Sequence, residues 1–192
     1  KYTQFPPYIE QDETLASEYQ TVYAKELGSK AAPTAGLHFT DELLAKLKAQ
    51  GISTSEVTLH VGLGTFAPVK TEQLDEHIIH SEWYQLDAKT AEELTHSEHI
   101  TAVGTTSIRV LESLASKERT FNPQSGETDI FITPGYSFKA VDALITNFHL
   151  PKSTLLMLVS ALMGFDEMHR VYKHAINEKY RFYSFGDAML IL

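Results

Sequence analysis

Cysteine is absent from the 192 residues and tryptophan occurs once. Without cysteine the chain has no disulfide, no thiolate nucleophile and no Cys-based zinc site, which fits a reducing compartment; the cytoplasm is the expected location. Long apolar runs are missing too. The longest, residues 154–163, has about half the length of a membrane-spanning helix, so no membrane partner is expected. No positively charged, apolar leader precedes Pro6-Pro7. Basic charge is also scarce: 16 Lys and Arg face 25 Asp and Glu, a net charge of −9. That balance excludes a protein that coats nucleic acid by charge alone, because neutralising phosphates needs clustered Lys and Arg.

What is present is enough for one ordinary domain with a sizeable core, since 43% of the residues are hydrophobic. The acid is concentrated. Between Thr71 and Ile100 lie eight Asp or Glu against one Lys, whereas from Lys139 onward six Lys or Arg face five Asp or Glu. A local basic face therefore remains open to the C-terminal third. The chain starts at Lys1 and runs into an extended Phe5-Pro6-Pro7-Tyr8, so residues 1–18 read as a segment that joins the domain to something longer.

Short β-like apolar runs alternate with helical stretches, which predicts an α/β fold with a mostly parallel sheet or an irregular, barrel-like arrangement over residues 19–192. The strand candidates are 56–61, 100–103, 129–133, 143–147 and 182–185, with 189–192 as a short addition. Thr40 is placed to cap a helix that carries Leu43, Leu44 and Leu47 on one stripe and stops at Gly51. Ser107 starts a second, with Ile108, Leu111 and Leu114 inward. Ser153 caps a third, 154–163, apolar all round and so expected to be buried until Gly164 ends it. A fourth opens at Asp166 with Met168, Val171, Tyr172 and Ala175 on one face. Residues 117–127 read as a surface loop, and 86–98 as an acidic, solvated helix or loop.

Four apolar runs end in bursts of Gly, Thr, Ser, Asn, His or Pro: His60-Val-Gly-Leu-Gly-Thr-Phe66, Gly104-Thr-Thr-Ser107, Pro134-Gly-Tyr136 and Asn147-Phe-His-Leu-Pro151. In parallel α/β sheets ligands sit at the carboxyl ends of strands, so these bursts are expected to line one cleft. Gly62 and Gly64 would let backbone amides approach a ligand; Thr105, Thr106 and Ser107, opening a helix, would present N–H groups and hydroxyls to an anion or a sugar. Neither segment completes a dinucleotide fingerprint or a P-loop. His77-x-x-His80-x-Glu82 lacks the spacing of a familiar helical zinc motif, and no metal is expected. Glu82, beside Trp83 and Tyr84, reads equally as a partly buried base or as a salt-bridged carboxylate. His149 and His38 read either as hydrogen-bonded core histidines or as general acids and bases. Phe39, Phe66, Tyr136 and Phe138 are candidates to stack a base or to fill the core.

Taken together and in order, Tyr19-Gln-Thr-Val-Tyr23, Ala31-Ala-Pro-Thr-Ala-Gly-Leu-His-Phe-Thr40, Val57-Thr-Leu-His-Val-Gly-Leu-Gly-Thr-Phe66, His80-Ser-Glu82, Gly104-Thr-Thr-Ser107, Thr128-Asp-Ile-Phe-Ile132, Thr146-Asn-Phe-His-Leu-Pro151 and Ser184-Phe-Gly-Asp-Ala-Met-Leu190 resemble the S-adenosylmethionine:tRNA ribosyltransferase-isomerases of queuosine biosynthesis. The resemblance implies S-adenosylmethionine as a ribosyl donor. The acceptor would be tRNA carrying 7-aminomethyl-7-deazaguanine at the wobble position, giving epoxyqueuosine with release of adenine and methionine. The sulfonium acidifies the adjacent C5′ hydrogens and lets methionine depart as a neutral thioether, so a base can start the sequence.

On that resemblance Glu82, His60 or His149 is the expected base and His149 or His38 the acid for departing adenine. Arg109 would meet a carboxylate or phosphate. Gly62, Gly64, Thr65 and Phe66 would frame the nucleoside, Thr105, Thr106 and Ser107 would hold hydroxyl or carboxylate groups, and Thr34, Gly36, Phe39, Gly135, Tyr136 and Asn147 would also bind substrate. Lys139, Lys152 and Arg181 would contact tRNA phosphates. A monomer is expected. The family also carries an earlier segment of the same α/β domain, with an Asn-Asp-Thr-Arg stretch, and an inserted β-barrel; neither is in this chain, and residues 94–100 look short for the family. The portion alone is therefore expected to fold poorly. Two other readings compete: a sugar or nucleotide transferase acting on a small molecule without tRNA, and a non-catalytic RNA-binding module, which the acidic balance disfavours.

Overall fold

The computed structural model describes residues 18–26, 28–62, 79 and 81–192. Most of the joining segment, together with Gly64, Thr65, Phe66, His77 and His80, lies outside the described residues. A 3-10 turn at Thr34–His38 is followed by α1 (Asp41–Ala49), β1 (Thr58–His60), β2 (Glu82–Leu86), α2 (Ala88–Thr95), β3 (Thr101–Val103), α3 (Thr105–Leu114), β4 (Gln124–Thr128), β5 (Ala143–Asn147), α4 (Thr154–Met163), α5 (Phe165–Asn177) and β6 (Ala188–Ile191). Two three-stranded sheets result, ordered β1-β2-β4 and β3-β5-β6.

The α/β character is as read from the pattern, and of the two arrangements expected, the mostly parallel sheet is not what the described strands form. Among the described strands only β3 and β5 run parallel; β1 with β2, β2 with β4, and β5 with β6 are antiparallel. Side chains alternate across a strand whichever way its neighbour runs, so apolar runs report burial and not direction. The same limit explains two misplaced strands. The expected strand at 129–133 is irregular although Ile132 is 2% exposed, and the pairing segment is instead the polar Gln124–Thr128, which had read as a surface loop. Residues 182–185 form a turn, and β2 had not been singled out at all.

Two of the expected caps, Thr40 and Ser153, are in place, Asp87 is a further one, and the start expected at Ser107 is corrected to Thr105, because Gly104 turns the chain into α3 and the Ser107 hydroxyl bonds back to Val103. The Thr40 hydroxyl accepts the Leu43 N–H at 3.1 Å, Asp87 that of Thr90 at 2.7 Å, and Ser153 that of Leu156 at 3.2 Å, each satisfying a donor the helix cannot. Ile108, Leu111 and Leu114 of α3 join Leu144 of β5, Val159 of α4 and Tyr172 of α5 in one core. By contrast α4 is only partly covered, with Leu158, Val159 and Ser160 buried, and α1 buries none of its residues. An apolar stripe shows that a helix can be covered, and these two have more apolar surface than the described elements cover.

A buried carboxylate of α3 ties the irregular segment leading into β5 to that helix. Glu112 is fully buried; its Oε1 accepts the Ala140 and Val141 N–H groups at 2.9 and 3.1 Å, and its Oε2 accepts the Lys139 N–H at 2.9 Å and the Tyr136 hydroxyl at 3.1 Å. Every lone-pair direction of the carboxylate is used, so its burial is compensated. Residues 139–141 lead directly into β5.

Candidate active-site cleft

The parallel strands β3 and β5 end side by side, and a cleft opens at their carboxyl ends. Its lining includes Pro33, Thr34, Val61, Gly104, Thr105, Thr106, Asn147 and His149. Segments from three of the four expected bursts meet there, with the 31–40 segment as a fourth wall. The chain leaves β3 through Gly104, whose φ of 90° suits a residue without a β-carbon, and whose N–H is held by the Ile145 carbonyl at 2.8 Å. Immediately afterwards α3 begins with no side-chain cap, and the Ser107 hydroxyl turns back to the Val103 carbonyl at 2.8 Å. The first N–H groups of α3 thus open on the cleft, and the helix dipole adds partial positive charge there. An anionic group suits that end of the cleft.

His149 forms the facing chemistry. Its backbone N–H donates to the Tyr172 hydroxyl at 3.0 Å, and its Nε2 shares a hydrogen with the Thr146 Oγ1 at 2.9 Å. Burial pushes the imidazole down to about 4, so the ring is neutral near pH 7 and is a proton acceptor. Tyr172, its OH buried beside this turn, is pushed up to about 12 by desolvation and stays a neutral phenol. Beside them Asn147, 3% exposed, bridges two parts of the 3-10 turn: Thr34 Oγ1 donates to its Oδ1 at 3.1 Å, and its Nδ2 lies 3.2 Å from His38 Nε2. With the amide in that orientation, His38 Nε2 accepts and its proton sits on Nδ1.

Other expected site residues fall elsewhere. Glu82 and Arg109 form a buried pair, Nη1 to Oε2 at 2.5 Å, with the Arg109 Nε–H donating to the Ile130 carbonyl at 3.2 Å. The salt-bridged reading of Glu82 is the one its geometry displays, and Arg109 joins α3 to β2 through Nη1 and to the Ile130 carbonyl through Nε, while its buried Nη2 has no partner among the described residues. His60 pairs across the sheet with Trp83, their rings 4.7 Å apart, while its neighbour Val61 reaches the cleft and Gly62 follows. Gly135 and Tyr136 sit on the turn that Glu112 staples to α3. Gly36 is packed against Tyr23, whose hydroxyl would lie 2.0 Å from an added β-carbon, so its smallness serves packing. Phe39 caps the 3-10 turn.

Of the basic residues, Lys139 Nζ donates to the Ala115 carbonyl at 3.0 Å, and Arg181 is bound to Asp187 at 2.7 Å. Lys152 is exposed at φ 59°, between the cleft residues Leu150 and Ser153. Among the described residues no group of three His, Asp or Glu is placed to hold a metal ion, and no helix is long and apolar enough to cross a membrane. Sequence reasoning passed over Thr146, Leu155 and Tyr183 as site residues, although all three line the cleft. Tyr183 was hidden because 182–185 read as a strand, where its φ of 72° has no signature.

A family described as queuosine biosynthesis protein matches residues 2–191. An S-adenosylmethionine:tRNA ribosyltransferase-isomerase of Ralstonia pickettii is 58% identical, the match covering 97% of this chain and 54% of the relative. One of Symbiobacterium thermophilum is 57% identical over 97% of this chain and 56% of its own length. A crystal structure of S-adenosylmethionine tRNA ribosyltransferase from Thermotoga maritima superposes with a TM-score of 0.67 at 46% identity, covering 85% of this chain and 52% of that one. The chain spans about half the length of the curated relatives it matches.

Proposed function

The chain belongs to the queuosine biosynthesis protein family, and from that premise we propose that it supplies the S-adenosylmethionine cleft of a tRNA ribosyltransferase-isomerase. In this reading the ribosyl skeleton of S-adenosylmethionine passes to the aminomethyl nitrogen of 7-aminomethyl-7-deazaguanine at the tRNA wobble position, and adenine and methionine leave. The observation that carries it is one cleft that joins an uncapped helix N-terminus to a neutral imidazole at the ends of two parallel strands.

Each part has a task. The α3 amides at Thr105 and Thr106 receive the methionine carboxylate. His149, neutral and held by Thr146 and the Tyr172 hydroxyl, accepts the proton from C5′ beside the sulfonium. Thr34 and Asn147 hold the ribose hydroxyls, with His38 behind Asn147 as the group that returns a proton to departing adenine. Lys152 at the rim meets a tRNA phosphate as a point charge. Glu82, Arg109 and His60 support this arrangement through the neighbouring sheet.

Product analysis on the intact protein tests the reading. S-adenosylmethionine, supplied with precursor-modified tRNA, is expected to yield equal adenine and methionine and no methylated tRNA. Release with the free nucleobase alone would favour a small-molecule transferase. Tight tRNA binding with no release from either acceptor would favour an RNA-binding module.

A further inference from the structure

Tyr183 is one of four described non-glycine residues with positive φ, at 72°, a region that residues with a β-carbon rarely occupy. It lines the cleft and is 40% exposed. A closed loop imposes the conformation. Its ends are clamped by Arg181 and Asp187: the Asp187 N–H donates to the Arg181 carbonyl at 2.8 Å, and the Asp187 carboxylate accepts from the Arg181 N–H and Nη2, both at 2.7 Å. Those hydrogen bonds hold the Asp187 carboxyl below the usual range, so the clamp stays closed at neutral pH.

Within the loop Gly186 is so close to the opposite strand of chain that an added β-carbon would lie 2.5 Å from the carbonyl oxygens of Arg181 and Phe182. The main chain of Tyr183 is used on both sides. Its N–H donates to the Phe148 carbonyl at 3.1 Å, and its carbonyl accepts the Gly186 N–H at 3.0 Å. Glycine would take this backbone without strain, yet the position carries a large aromatic side chain. Local strain of this kind persists where the surroundings over-determine it, and it gathers at ligand sites. Both backbone polar groups are engaged, and the residue lines the cleft at 40% exposure, which places its ring where a ligand can meet it.

We propose that Tyr183 is a substrate-binding residue whose ring stacks on a purine-type heterocycle in the cleft, the adenine of S-adenosylmethionine or the 7-deazaguanine of the tRNA. A π-face accepts either ring with little regard to its edge pattern, and a phenol brings that face at low rotamer cost. Ala32, Pro33 and Val61, all small or flat apolar residues, line the same cleft. The inference rests on the function proposed above and extends it to a residue with no other part in that reading. Arg181 thereby becomes the clamp of this loop rather than a phosphate contact.

The test uses the intact protein with Tyr183→Phe, Tyr183→Leu and Tyr183→Gly. Calorimetry measures S-adenosylmethionine affinity without tRNA, and kinetics at saturating S-adenosylmethionine measure KM for precursor tRNA. Tyr183→Phe is expected to stay within about twofold of the parent, whereas the Leu and Gly variants lose on the order of tenfold in one of the two constants. A loss in S-adenosylmethionine affinity assigns the stacked ring to adenine; a rise confined to the tRNA KM assigns it to deazaguanine. Melting of each variant is followed alongside, and only a variant that stays folded at the assay temperature is used, which separates lost stacking from lost folding. Unchanged constants in both the Leu and Gly variants would overturn the inference. A parent protein that binds no S-adenosylmethionine would instead sink the functional reading, a result visible before any variant is made.

Discussion

Replacing Glu112 by glutamine keeps the side chain's shape and removes half of its accepting capacity, which makes the consequence calculable. The carboxylate accepts two hydrogen bonds on each oxygen, three of the four from backbone N–H groups. An amide nitrogen at the Oε1 position would face the N–H groups of both Ala140 and Val141. Placed at the Oε2 position it lets the Tyr136 hydroxyl turn and accept, but leaves the Lys139 N–H facing another donor. Even this cheaper choice strands one part-buried donor against the buried amide and makes two charge-assisted bonds neutral, a cost of about 3 kcal/mol. Local opening of residues 139–141 would then be on the order of 100-fold more frequent, since about 1.4 kcal/mol is a factor of ten. Hydrogen exchange over the peptide spanning 136–141, measured on the intact protein, reads this directly. Because those residues feed β5, whose far end carries Thr146 and Asn147, turnover is expected to fall as well. Exchange within about threefold of the parent would refute the claim that Glu112 holds this segment.

Three further perturbations probe the cleft. His149 is depressed from its ordinary 6.5 to about 4, so below pH 6.5 the unfolded chain takes up the proton first and stability falls as pH drops through this window. Between pH 7 and 5 the loss is about 2 kcal/mol, and denaturant melts of His149→Gln should lack that part of the pH dependence. Asn147→Leu is nearly isosteric but unpairs Thr34 and His38, so turnover should drop at least about tenfold through lost positioning, against roughly 1–3 kcal/mol of stability; unchanged kcat would contradict the bridge. Lys152→Gly removes a left-handed strain of about 1–2 kcal/mol and should raise the melting temperature, while tRNA binding weakens and its salt slope shrinks by about one. A stabilised variant with unaltered tRNA binding would remove Lys152 from the interface.

What the sequence revealed and what it concealed divide along physical lines. Helix starts were legible because a capping hydroxyl or carboxylate next to a helix-forming run is a local chemical signal, as at Thr40 and Ser153. The meeting of Gly104-Thr-Thr with Asn147-Phe-His was legible because strand ends in parallel pairs share one side, and β3 and β5 are such a pair. Strand direction was not, since β2 and β4 carry polar residues on a half-exposed antiparallel sheet. The roles of Glu82 and Arg109 were hidden for another reason. Their contact spans 27 positions in sequence, so Glu82 alone reads equally as a base or a salt-bridged carboxylate and Arg109 alone as a contact for a substrate carboxylate or phosphate. Tyr183 was concealed by backbone conformation, which side-chain patterning does not encode for a non-glycine residue.

The claim on which everything else depends is that the cleft beside β3 and β5 receives S-adenosylmethionine. A crystal structure of the intact protein with S-adenosylmethionine bound measures this most directly. The carboxylate is expected about 3 Å from the amides of Thr105 or Thr106, with C5′ facing His149 and adenine near Tyr183. The ligand seated instead against His60 and Trp83, or in this cleft with its carboxylate turned away from α3, would contradict the account.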